Sequence, residues 1–343
     1  MIIILLLIIS TSDSPSARDK RVMRAVQPAA MLAAFMTTVL FSISAICGNR
    51  TAKLLGGTEA NFWRMCFATS LLAIYGEFFG GGLGGSVFHI FFLSGCIGFG
   101  IGDMALFQAL PRIGSRLAVM LTLCLSSPLA AFMEWLWLGT VLSLAEILCG
   151  IMILVGVALA LAPGTHVHIP RRQLTLGISF GLIASICQAL GAVLSRKAFS
   201  LAALSGENID GITAAYQRIL GGILVGGVVL LVVKRNSICD ELLRRGASPD
   251  SRNARQSDRW RKAWPLVIAN GLAGPALGVS CYQWALMTTP TGVVLPIVAI
   301  TPLVIIPFSY HLEGERPTLR SLAGGAIAVL GAAALAWVTT HPQ

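Results

Sequence analysis

The chain has 343 residues, 55% of them hydrophobic and only 12% charged, with a net charge of +10. A soluble globular chain carries about 25% charged residues, so the composition excludes an ordinary soluble domain, as does the mean hydropathy of +0.79. The basic excess sits in connectors, where it suits topology and anionic-lipid contact; the expected surroundings are a lipid bilayer, and no nucleic acid is expected as a partner.

Residues 1–24 are read as a tail outside the fold. MIIILLLIIS is far short of the ~20 residues that cross a bilayer. It lacks the basic stretch that precedes the apolar run of a signal peptide. Arg18, Lys20, Arg21 and Arg24 follow it, and Met23 is an alternative start.

Ten apolar segments come next: 28–47, 59–77, 86–109, 116–138, 143–162, 175–195, 211–233, 263–287, 291–311 and 319–338. Backbone in lipid must satisfy its own hydrogen bonds, so each is predicted to be a helix. Uniformly apolar runs exclude the alternating strands of a β-barrel. The expected class is an all-α integral membrane protein. Connectors are short except 234–262, which carries nine Lys and Arg residues and is expected to be mobile. Many of the 36 glycines lie inside the apolar runs, where small residues let helices approach closely.

Little in the chain suggests an enzyme. The eight cysteines include no C-x-x-C pair, so neither a disulfide framework nor a zinc site is expected. His166 and His168 are two loop residues, weak grounds for a metal. There is no G-x-S-x-G and no P-loop. No cofactor is expected.

The halves repeat. Gly98, Gly102 and Ala109 recur as Gly274, Gly278 and Ala285 at the same spacing. Pro128 in LSSP recurs as Pro302 in AITP, and Gly150 and Gly156 as Gly325 and Gly331. Phe62-Trp63-Arg64 matches Tyr216-Gln217-Arg218. Five spans per half is an odd number, so the second half starts on the opposite side of the membrane and the repeats are inverted. Inverted repeats are the architecture of secondary carriers, with the solute near the midplane between them.

These residues, with GFGIGDMALFQALPRIG at 98–114, SRKAF at 195–199, and the GER at 314–316 followed by G-x5-G, resemble the drug/metabolite transporter superfamily in its EamA-like branch. The resemblance implies ten helices in two inverted five-helix repeats, at 25–165 and 172–339. It implies alternating-access movement of a small metabolite or drug-like solute, and a plasma-membrane (cell inner membrane) location with both termini cytoplasmic. A membrane-embedded enzyme on a lipid-linked substrate and a non-transporting scaffold are the alternatives. The chain departs from the family where the fourth span ends: Leu138-Gly139-Thr140 stands opposite Glu315, so one of two family carboxylates is missing.

Charges within spans usually face a bundle interior or water. Asp103 is the deepest acid, roughly 12 Å from the Pro111 interface at 1.5 Å per residue. Its counterpart is Val279. A solute or proton role and a structural bond to a neighbouring helix are both open for it. Arg218 lies roughly 10 Å inside, whereas Arg64 is close enough to an interface to snorkel. Gln188, Tyr282, Gln283 and Trp284 are candidates for a polar cavity, Trp284 equally for an interfacial anchor. Asp103 and Glu134 lie at different depths and do not form a carboxylate pair. Charge opposes the family orientation, because basic residues in short loops normally stay inside and 234–262 falls outside in it.

Overall fold

A computed structural model describes residues 17–161, 170–243, 250–306 and 319–340, and among them there is no strand. Glu315, with the GER motif, and His166 and His168 lie outside the described residues, as does the apolar start of the chain.

The first repeat opens with α1 (Ala17–Leu55), which extends into the stretch read as a tail, and α2 (Gly57–Phe78). Then α3 (Phe88–Gly95) runs into a π-helical segment, Cys96–Gly102, and on into α4 (Asp103–Leu138). Gly114, at φ 78° and ψ 163°, breaks α4 in two; a residue with a Cβ is strained there. α5 (Leu144–Leu161) closes the repeat.

The second repeat follows the same plan. It holds α6 (Arg171–Leu204), α7 (Gly211–Leu243) and α8 (Asp250–Gly271), a second π-helical segment at Leu272–Gly278, and α9 (Val279–Thr288). α10 (Thr291–Val298) starts after Pro290, where Gly114 breaks the first repeat, and α11 (Leu319–Thr340) ends the described chain. The loop expected at 234–262 is largely helical: α7 continues to Leu243 and α8 begins at Asp250. Nothing between 234 and 243 is Gly or Pro, so the helix has no local reason to stop where the lipid does.

Both π-helical segments are seven residues long, and they contain the aligned glycine pairs Gly98/Gly102 and Gly274/Gly278. Such segments gather at functional sites. Here each lies in the middle of its repeat.

Five helical stretches are long and apolar enough to cross a membrane: Pro28–Leu55, Phe88–Leu138, Arg171–Leu204, Gly211–Lys234 and Asp258–Thr288. Leu144–Leu159, Thr291–Ile306 and Ala323–Leu335 are apolar but shorter. α2 has 22 residues but carries Glu59, Arg64 and Glu77, which dilute its apolar character.

The repeats exchange contacts. α2 packs on α7, and α5 on α11. α1 lies against α8, the second π-segment and α9, while α6 lies against α3, the first π-segment and α4. Equivalent glycines make these approaches possible. A Cβ on Gly95 would run into the carbonyl oxygen of Arg218, and one on Gly271 would meet that of Arg64 at 2.7 Å.

The two ends of the bundle differ in charge. Arg50, Lys53, Arg112, Arg116, Arg171 and Arg172 lie at the end where α1 meets α2 and where α6 begins. This basic end is tied together by Gln108 donating to Thr58 (3.1 Å) and by the Lys234–Glu59 ion pair (2.9 Å). The other end, called the acidic end below, carries Glu77, Glu207 and Asp210, with Arg196 and Lys197 near the end of α6 as well. There Tyr216 donates to Glu77 (3.0 Å), the backbone N–H of Ser86 to Glu207 (3.1 Å), and Gln217 to the Gly82 carbonyl (3.0 Å).

Candidate functional site

A cavity of about 80 Å³ lies between the repeats and is lined by both. The first repeat contributes Phe41, Ser44, Arg64, Asp103 and Thr122 among others; the second contributes Gln188, Arg218, Gly274, Val279 and Tyr282. The volume suits a few water molecules.

Two arginines enter this space from equivalent places. Arg64 on α2 reaches toward the second π-segment, where a Cβ on Gly274 would lie 3.1 Å from its Nη1. Arg218 on α7 reaches toward the first, where a Cβ on Gly98 would lie 3.0 Å from its Nη2. The aligned glycines give each guanidinium room over the opposite repeat. Each cation also rests on an aromatic face: Arg64 is 4.4 Å from the Phe107 ring centroid and Arg218 5.2 Å from that of Phe99. Such contacts stabilise a desolvated cation by roughly 2 kcal/mol.

The partners differ. Arg64 is 5% exposed; its Nη2 ion-pairs with Asp103 Oδ2, and its Nε donates to Asn61 at 2.9 Å. It is pinned in place and does not snorkel, so the reading of it as an interfacial residue is corrected. Depth along α2 misled here, because a partner at mid-membrane holds the side chain inward. Arg218 is 3% exposed, its Nε has no acceptor, and among the described residues no carboxylate lies within ion-pair distance of it. Counted as formal charges, Arg64 and Asp103 cancel and Arg218 leaves one positive charge at the cavity.

The structure brings Asp103, Gln188, Arg218 and Tyr282 to this cavity, with Gln188 beside the Tyr282 hydroxyl. Gln283 is fully buried but is not in the lining, and neither end of its amide has a partner. Trp284 is 46% exposed, on the outer face. Pro128 lies within α4 on an exposed face, and Pro302 is buried just beyond α10. Phe99, Phe107 and Ser44 escaped the sequence reading. The repeat held the one usable signal for them, since matching Arg64 to Arg218 implies matching surroundings.

A second polar cluster joins the repeats toward the acidic end. Glu134 is 1% exposed and accepts the backbone N–H of Thr291 at 2.5 Å, as well as its hydroxyl. A carboxylate at the first N–H of α10 satisfies a donor left open by helix geometry. Arg196 lies 3.4 Å from Glu134 and donates to the carbonyls of Leu286 (3.0 Å) and Met287 (2.9 Å) at the end of α9. Glu134 and Arg196 thus clamp the break between α9 and α10. Asp103 and Glu134 do not touch the same partners.

The model of the EamA-like transporter family matches residues 28–162 and again residues 175–337. Comparison with curated proteins finds no match. A crystal structure of a protein 16% identical to this chain superposes with a TM-score of 0.60, over 90% of this chain and 96% of that one. At that identity the likeness shows the fold alone.

Proposed function

The chain belongs to the EamA-like transporter family, two copies of whose helical repeat fill most of its length, and from that premise we propose that it is a secondary carrier moving a small solute by alternating access. The observation that carries this reading is the cavity between the repeats, lined by equivalent segments of both and holding the equivalent Arg64 and Arg218. Two similar halves that exchange contacts have two near-equivalent packings, which is what alternating exposure of a fixed midplane site requires. In this reading all ten apolar segments span and the repeats are inverted, so that α1 and α6 enter from opposite faces. The gathering of the ends of α1 and α4's first half with the start of α6 at the basic end supports it. In this reading the Glu134–Thr291–Arg196 cluster, which ties the repeats together there, is one of the contacts that the opposite packing breaks.

The purified chain in proteoliposomes should show saturable exchange, with preloaded unlabelled solute driving transient accumulation of labelled solute. A panel of organic anions, zwitterions, sugars and cations that yields no such counterflow would count against a carrier.

Asp103 is proposed to couple the cycle to protons. An ionised carboxylate at mid-depth must be paired, hydrated or protonated, and the Arg64 pair is an interaction that a conformational change can break. Transport should lose its pH dependence in Asp103→Asn. An unchanged profile with normal rates would leave Asp103 as a packing residue.

Both termini are proposed to be cytoplasmic, as the family resemblance implies. The basic end then faces outward, against the usual charge rule. Cys239 should therefore react with an impermeant maleimide on intact cells; reaction only after lysis reverses the orientation.

A further inference from the structure

We propose that the solute is a small organic anion, and that Arg218 takes its carboxylate or phosphate group; this rests on the carrier reading above. The argument is one of charge. Arg64, Asp103 and Arg218 are the acidic and basic residues that line the cavity. Arg64 and Asp103 satisfy each other. Arg218 is 3% exposed, with a buried Nε that donates to nothing. A buried cation without a counter-ion is costly, and breaking a buried pair by removing one partner costs several kcal/mol. The structure carries that cost at the wall of a cavity and meets it with the Phe99 face, 5.2 Å away, and with the longer-range field of Asp103, which is already ion-paired to Arg64.

The geometry of the guanidinium narrows the chemistry. Its planar fork matches carboxylate and phosphate oxygens two at a time. Gly98, in the cavity lining, leaves room beside its Nη2: a Cβ there would lie 3.0 Å from it. A side chain on Gly98 would occupy the space that an anion needs. The hydroxyls of Tyr282 and Thr122 and the amide of Gln188 share the lining and suit the polar remainder of a small solute.

The approach agrees. A separate depression at the basic end is lined by Gln108, Arg112 and Gln173 together with Gly56, Gly57 and Pro170. Arg116, Arg171 and Arg172 lie at the same end. A basic surface of this kind raises the local concentration of anions beside it.

The test is counterflow in proteoliposomes with five labelled probes: succinate, glycerol 3-phosphate, glutamine, glucose and tetraethylammonium. It is run on the full chain and on Arg218→Gln and Arg218→Lys, each checked for a monodisperse, folded peak and an unchanged melting temperature. Exchange of succinate, glycerol 3-phosphate or both is expected, and the two arms separate carboxylate from phosphate. Arg218→Gln should weaken the apparent affinity roughly tenfold or more, as for a lost hydrogen bond to a charged group, and Arg218→Lys should restore part of it. Exchange confined to glutamine, glucose or tetraethylammonium overturns the anion assignment and leaves the carrier standing. Anion exchange equally strong in folded Arg218→Gln overturns the role of Arg218. Absence of exchange with every probe overturns the assignment and the carrier reading together.

Discussion

Arg64 and Arg218 occupy the same place in the two repeats, cross to the same glycine of the opposite π-segment, and end in the same cavity. One has a carboxylate and the other has none, because the position of Asp103 is taken by Val279 in the second copy. Duplication supplied two cationic arms, and a single difference divided their work. The paired arm is tied to its neighbour in this conformation. The unpaired arm keeps its hydrogen-bonding capacity for something that is not protein.

That division can be broken most forcefully through stability. Asp103→Ala leaves Arg64 buried without its partner, and unfolding of the purified protein in detergent should show a loss of about 3 kcal/mol. Arg218→Ala loses the Phe99 contact but also sheds the cost of a desolvated cation without an ion pair, so the two offset and its change should stay within about 1 kcal/mol. Equal losses in the two variants would show that Arg218 is held by the frame as firmly as Arg64.

A smaller effect sharpens the same contrast at the glycines. Gly274→Ala pushes a methyl against Arg64 and into the Ser44 hydroxyl, both already engaged, since Ser44 donates to Asn270 at 2.7 Å. The expected cost is about 1–3 kcal/mol, as for overpacking. Gly98→Ala meets only the free Nη2 of Arg218 and the Gly191 Cα at 3.9 Å. It should alter solute affinity while leaving the melting temperature almost unmoved. The reverse pattern would mean that the first π-segment, not the second, is the tighter seam.

The repeat was legible because close helix contacts demand glycine, and Gly98, Gly102, Gly274 and Gly278 kept their spacing through the duplication. Depth was legible too, since rise per residue converts position into distance; Asp103 and Arg218 both lie inside. Rotation about the helix axis was not. Tyr282 and Gln283 are adjacent, one residue and thus about 100° apart, and only the first lines the cavity. In a soluble protein a polar face would distinguish them, but in lipid both faces of a helix are apolar. The π-segments were hidden for a related reason: a one-residue change of helical register leaves no mark in composition. Arg64 was misplaced because an ion pair between helices depends on the neighbour, which a single span does not reveal.

The surplus positive charge of the cavity has an electrical consequence. While Asp103 keeps its charge, a solute bearing one negative charge cancels it, so the loaded carrier changes conformation with no net charge at the midplane; a dianion such as succinate leaves one negative charge there instead. The empty carrier makes its return with one positive charge there. Moving one elementary charge through 100 mV corresponds to about 2.3 kcal/mol, so only the empty return feels the membrane potential. Exchange of one monoanion for another should therefore proceed at the same rate with or without an imposed potassium diffusion potential. Net flux into solute-free vesicles should speed up or slow down with its sign. Equal voltage dependence of the two modes would show that the loaded site is not neutral.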